Sequence, residues 1–243
     1  MPDSPPPSAP LSKSRGTPGA AVRSEGFSQA LGPLIGMVFG AGWMCGAILS
    51  PDFMKVSHAG LVLILLAIGL MITWKRAVKL LRRHEQGARG EEQVARMLEA
   101  LPDDWKIYHG VQIEDDFIDH VLVGPDRLYM IETVHWEGQV RVTNGKLYHG
   151  EKTYPGYDLE TLRSRAEAVA EVLGVSEKVL SPMVCVVGGR YAGYPGELNG
   201  VWLGEIQDVG PYLLQPHTGS LRAPDRPALV EKLDSFMDQQ ESS

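Results

Sequence analysis

Ile118-Asp119-His120-Val121-Leu122-Val123-Gly124-Pro125 and Tyr129-Met130-Ile131-Glu132-Thr133-Val134 are two apolar runs of strand length, each carrying one acid. A carboxylate among aliphatic side chains is costly to desolvate unless something binds it, so each acid asks for a hydrogen-bonded role or a cation. Period two puts Phe117, Asp119, Val121 and Val123 on one strand face. It puts Leu128, Met130, Glu132, Val134 and Trp136 together on one face of the next strand. Just upstream, Gly87-Ala88-Arg89-Gly90-Glu91 opens an amphipathic helix with Val94, Leu98 and Leu101 on one stripe, and Glu91 shares that stripe. If the two strands are neighbours, Asp119 and Glu132 converge near Glu91. Taken singly, Glu91 also reads as an acid complementing a helix dipole, Asp119 as an amide acceptor, and Glu132 as a partner of His120 or His135.

Working outward, Trp105 to Ile113 reads as a strand, and Asn144-Gly145 is a hairpin signal between Val140–Thr143 and Lys146–His149. Asp158 to Leu173 is a second helix ended by Gly174. Met183–Val187 and Val201–Ile206 are further strands, and Asp225 precedes a last helix bearing Leu229, Leu233, Phe236 and Met237. Strands alternating with helices of crossover length indicate an α/β sheet domain over 87–243.

Upstream, residues 1–28 form a Pro/Ser-rich tail without apolar periodicity, expected to be disordered. Leu31 to Ser50 and Ala59 to Trp74 are nearly charge-free, which predicts a transmembrane helical hairpin over 31–74 with glycines at 36, 40, 42 and 46 easing close approach. A basic juxtamembrane linker, 75–86, holds Lys75, Arg76, Lys79, Arg82 and Arg83, while the connecting loop has Lys55 alone. The expectation is a cell-membrane protein with two spans, both termini cytoplasmic and anionic headgroups against the linker. Cys45 and Cys185 are then too far apart in environment to form a disulfide. From Gln86 onward, 14 Lys+Arg stand against 26 Asp+Glu, a net −12. Such a domain has no general attraction for a phosphate backbone, so nucleic-acid binding needs a local basic patch or bridging metal.

The set Gly90-Glu91, Ile118-Asp119-His120 with Val-Leu-Val-Gly-Pro, Tyr129-Met130-Ile131-Glu132-Thr133 and Gly138 resembles the NERD (nuclease-related) domain over about 87–140. That family is similar to the PD-(D/E)XK nuclease superfamily. The resemblance implies a restriction-endonuclease-like mixed sheet flanked by helices. It also implies that Glu91, Asp119 and Glu132 are catalytic metal ligands holding Mg²⁺, which would polarise a phosphodiester. A lysine is expected two residues after the strand glutamate, and Val134 stands there. The family's Asn-Pro and Gln before the second helix are also replaced, by Tyr154-Pro155-Gly156-Tyr157-Asp158. Arg141, Lys146 and Lys152 are the candidates for a displaced cation. Since a positioned acid-base group contributes about 10²–10⁴-fold in rate, the expectation is a degenerate nuclease serving in nucleic-acid or protein association at the membrane. The competing expectations are an active Mg²⁺-dependent nuclease with a displaced cation, and a structural membrane module with an unidentified protein partner.

Overall fold

The computed structural model describes residues 13–49, 59–113, 116–217, 221 and 225–242. Residues 1–12 of the tail, the loop 50–58 with Lys55, and Glu114-Asp115 of the acidic turn lie outside the described residues. The described elements run β1 (Ser14–Arg15), α1 (Ala20–Leu49), α2 (Ala59–Leu98), β2 (Lys106–Ile113), β3 (Asp116–Val123), β4 (Leu128–Thr143), β5 (Lys146–His149) and β6 (Lys152–Asp158). They continue with α3 (Leu159–Leu173), β7 (Leu180–Tyr191), β8 (Gly196–Leu198), β9 (Val201–Glu205), α4 (Ile206–Leu213) and α5 (Arg226–Glu241). By contacts the chain divides into Ala20–Ala88 and the remainder.

The sheet orders β1-β2-β3-β4-β7-β9-β8, with β5 and β6 attached through β4. It is mixed: β2, β3 and the first half of β4 are antiparallel, while β4, β7 and β9 are parallel. Period two sorts the strands as read from sequence. Leu122, Tyr129 and Ile131 pack with Val94 and Leu98 of α2, Leu101 just beyond it and Val209 of α4. Val121, Val123, Leu128 and Met130 pack on the other face with Ala166 and Val169 of α3 and Leu229 and Leu233 of α5. Helices therefore cover both faces, and the acids of β3 and β4 sit in the middle strands. The α3 helix has defined ends: Asp158 accepts from Thr161 N at 2.9 Å, and Gly174, at φ 73°, returns its N–H to Ala170 O and Glu171 O. Cys45 is exposed and Cys185 buried in β7, both free, and burial pushes the Cys185 thiol up to about 12.

Four expectations change. The expected linker 75–86 and the helix expected to start at Gly87 belong to one 40-residue helix, α2, because nothing between Trp74 and Leu98 breaks a helix: no proline, and only two isolated glycines. Second, among the described residues no helix is long and apolar enough to cross a membrane. Of the spans expected at 31–50 and 59–74, residues 31–49 and 59–74 are helical without being supported as spans. Pro33 and five glycines interrupt the apolar run of α1, and Lys75 ends that of α2 after 16 residues, short of the ~20 a bilayer needs. Within this unit the helices run antiparallel, with Arg23 Nε 3.7 Å from Glu85 and a Cβ at Gly40 falling 3.2 Å from Leu70. Gly36 and Gly42 meet nothing within 4 Å among the described residues, so the close glycine seam does not form there.

Third, the tail expected to be disordered through residue 28 is ordered from Lys13. β1 pairs parallel with the β2 edge, Ser14 opposite Ile107 and Arg15 opposite Tyr108, and α1 begins at Ala20. Polar contacts hold it: Lys13 Nζ donates to Glu99 O and Leu101 O, and Arg15 reaches Asp234 at 3.3 Å and Asp238 at 2.6 Å. Fourth, Arg127–His135 and Val140–Thr143 are one 16-residue strand, bent by a register shift between His135 and Gly138.

Gly16 lets β1 lie this close. Its φ is +88°, and a Cβ there would fall 2.0 Å from His109 O. Gly16→Val is expected to cost on the order of 1–3 kcal/mol and to strip hydrogen-exchange protection from the Ile107 amide, which now donates to Lys13 O at 3.0 Å. Unchanged protection there would show that β1 is not what shields this edge.

Candidate functional site

The ladder between β3 and β4 ends at the pair His120–Ile131. One step further the register brings Asp119 opposite Glu132, on the face that looks toward α3. In place of the next ladder bond, Thr133 N donates to Asp119 Oδ2 at 2.7 Å. Asp119 is 9% exposed and Glu132 4%. The two acids are therefore brought together, in the core between the apolar clusters on either side.

What compensates Glu132 is Arg165, from α3. Its Nη1 lies 3.1 Å from Glu132 Oε1, close enough for an ion pair, although no N–H points well enough at that oxygen to make a hydrogen bond. Nε donates to Asp116 Oδ1 at 3.1 Å and Nη2 to Phe117 O at 2.9 Å, so one guanidinium ties the start of β3 to Glu132. Sequence proximity alone does not find this residue. Its signal is a base at position 165 beside the buried stripe of Leu162, Ala166 and Val169. None of Arg141, Lys146 and Lys152 fills this role. Arg141 lies 5.5 Å over the Tyr148 ring, Lys146 is opposite Thr143 and Asp158, and Lys152 is opposite His149. Val134 is 2% exposed and packs with Val140, Leu159, Leu162 and Val184. A lysine there would have to push its charge through that cluster.

Glu91 approaches from the α2 side, 3% exposed, and its Oε2 accepts from Gly19 N at 2.9 Å. It is near enough to raise Glu132 through repulsion. Yet among the described residues no three His, Cys, Asp or Glu side chains are arranged to hold a metal ion. The donor chemistry of three carboxylates suits Mg²⁺, and one oxygen of each already meets a protein group: the Thr133 amide for Asp119, Arg165 for Glu132 and the Gly19 amide for Glu91. The other partners considered for Glu132 are engaged elsewhere. His120 sits across from His109, Nδ1 to Nδ1 at 2.8 Å, and burial lowers His109 to about 4 and His120 well below its ordinary value. His135 lies against Gly90 and Gly188.

Burial raises both Asp119 and Glu132 above the usual carboxylate range, with Asp119 adding to the rise at Glu132. The Thr133 amide pulls Asp119 back and Arg165 pulls back both. The folded protein thus holds protons that the unfolded chain releases. Stability from this source is complete below the ordinary carboxylate range and is lost as the pH rises through the raised values. Glu132→Gln is expected to melt with the wild type at about pH 4 and above it at neutral and mildly alkaline pH. Arg165→Met, which removes the countercharge from Glu132, should melt below the wild type, and the more so as the pH rises. Thermal melts across that range decide the matter, and an unchanged slope in Glu132→Gln would mean that Glu132 titrates normally.

Comparison with curated proteins and with solved structures returned no match. Residues 86–187 match the family model of the nuclease-related domain, NERD. This segment holds Glu91, β2 to β6, α3 and the first part of β7, so the paired acids and Arg165 all lie inside it. Residues 86–187 are a nuclease-related domain.

Proposed function

We propose that this nuclease-related domain associates with nucleic acid at a membrane, with phosphodiester hydrolysis weakened or lost. The observation that carries the reading is the burial of Asp119 and Glu132 beneath Arg165, with Val134 in the core where the resemblance asks for a lysine. A phosphodiester has to reach the ion that polarises it, and these carboxylates face protein on every side that the packing defines. Arginine cannot replace the missing base, since its guanidinium stays protonated at any working pH. The resulting chemistry favours holding a chain over cutting it.

Support for membrane attachment comes from Ala20–Ala88. Val38, Phe39, Trp43, Ile64, Leu65 and Trp74 are exposed there at 55–76%, more apolar surface than a water-facing helix pair ordinarily shows. Lys75, Lys79 and Arg82 follow along α2, each worth about 1 kcal/mol against an anionic leaflet. That sign bias favours the cytoplasmic side for both termini.

A second reading is favoured by the 3.1 Å separation of Arg165 and Glu132: an active Mg²⁺-dependent nuclease in which Arg165 is the displaced cation, stabilising charge on the phosphate. Full-length protein incubated with labelled single- and double-stranded DNA and RNA, in Mg²⁺ or Mn²⁺, separates the two. Retention of the polymer without turnover is the expected result, and cleavage that disappears in both Asp119→Ala and Glu132→Ala would establish the second reading instead. In flotation assays the chain should rise with phosphatidylglycerol vesicles, and less so when Lys75, Lys79 and Arg82 are all changed to Glu. Equal recovery of the two proteins, or none, would remove the membrane part.

A further inference from the structure

Past its bend, β4 leaves the body of the sheet and continues as a ribbon with β5, flanked by the end of β7. Its pairings are Val140–His149, Arg141–Tyr148, Val142–Leu147 and Thr143–Lys146 with β5, and Gln139–Arg190 and Val140–Tyr191 with β7. Paired residues share a face, so the ribbon has two unlike sides. Val140 and Leu147 are buried on one, with Val142, His149 and Tyr191 half-buried beside them. On the other side lie Gln139, Arg141, Thr143, Lys146, Tyr148 and Arg190, all exposed except the half-buried Tyr148.

That open side carries three cations and, at its margin opposite Lys146, one acid, Asp158, within a domain whose net charge is −12 from 14 basic and 26 acidic residues. The nearby acids are Glu137 in the bend, Glu151 in the turn between β5 and β6, and Asp158, which caps α3 through Thr161 and also meets the charge of Lys146. At the centre Arg141 lies 5.5 Å above the Tyr148 ring, a cation held on an aromatic face. Gln139 and Thr143 flank it with neutral hydrogen-bonding groups. Two of the cations are ones that sequence proximity nominated for the acid pair, and the register puts them on the face opposite Val134 and Val140.

We propose that the open face of the β4–β5 ribbon docks single-stranded nucleic acid, its phosphates on Arg141, Arg190 and Lys146 and a base stacked at the Arg141–Tyr148 pair. Charge complementarity selects a polyanion, and the exposed cation–aromatic pair selects one with unpaired bases. Stacking on such a platform tolerates any base, so recognition is of the strand and not of its sequence. The inference rests on the reading of the domain as nucleic-acid-associating. It also deepens that reading, because this face is on the other side of the sheet from Asp119 and Glu132 and works whether or not they bind metal.

The test is fluorescence anisotropy of a labelled single-stranded 20-nucleotide DNA and its RNA counterpart, titrated with full-length protein at several salt concentrations. Wild type should bind both, and more tightly than the matching duplex. Arg141→Glu with Arg190→Glu should flatten the slope of log affinity against log salt by about 1.4, at roughly 0.7 for each single-strand phosphate that is no longer neutralised. Tyr148→Ala should weaken binding at least about fivefold with little change in that slope. Lys178→Glu, the same charge reversal at an exposed position away from the ribbon, should bind like wild type, and circular dichroism of every variant controls for folding. If folded ribbon variants bind as wild type does, the ribbon assignment fails and the association reading stands. If wild type binds no nucleic acid, both fail. A preference for duplex, or equal weakening by Lys178→Glu, overturns the single-strand assignment.

Discussion

The bond from Thr133 N to Asp119 Oδ2 is the point on which the centre of this fold turns. It ends the β3–β4 ladder after His120–Ile131 and substitutes a side-chain acceptor for a backbone one, so the amide stays satisfied while the strands begin to part. The parted strands leave Glu132 opposite Asp119 with too little water to stay charged cheaply. Arg165 answers that, and it can do so only because α3 is held at both ends, by Asp158 and by Gly174, with its buried stripe laid along β4 and β7. The acid pair, the helix cap and the guanidinium are one mechanical unit. Loss of a cap would rotate or fray the helix that brings the counter-charge.

This unit explains why the same residues look at once catalytic and structural. Two acids on adjacent strands lie within the segment that matches the nuclease-related domain, and a guanidinium among Asp116, the Phe117 carbonyl and Glu132 supplies positive charge beside them. Glu91 tells a similar story from the other side of the sheet, with Gly19 N occupying one of its oxygens. Each acid has found a protein partner.

Much of this is legible in the sequence where the signal is local and periodic. Alternation sorts 121–123 and 128–131 correctly, though Ile118 packs with Val121 and Val123 against it, and the Val94–Leu98 spacing identifies the helix that covers one face. Arg165 escapes a reading that runs along the chain from Val134, because its contact with Glu132 is made across a crossover. The same rule that draws attention to Glu91, a charge at the edge of an inward stripe, applies equally to it. β1 carries no apolar signal at all, since two residues held by Arg15 against Asp234 and Asp238 on a distant helix cannot be seen in a Pro/Ser-rich tail. The merging of the basic linker into α2 is readable as the absence of any breaker. The change from apolar to basic composition hides it.

Net charge is the remaining case, and it shows what an average conceals. A balance of −12 argues against a phosphate polymer only if the acids are free to repel it. Here Arg165 stands against Asp116 and Glu132, and Arg15 against Asp234, Asp238 and Glu241, so each cluster has one positive charge set among its acids. These acids count in full in the total, while the guanidinium among them lowers the field each cluster projects, and salt screens the remainder beyond a Debye length of about 8 Å. Strand alternation acts in the opposite sense on the ribbon. It segregates Arg141, Lys146 and Arg190 from the apolar side chains between them and presents them on one open face. An acidic domain can therefore carry a locally basic surface without contradiction, since pairing reduces the negative field in places while register concentrates the positive in another.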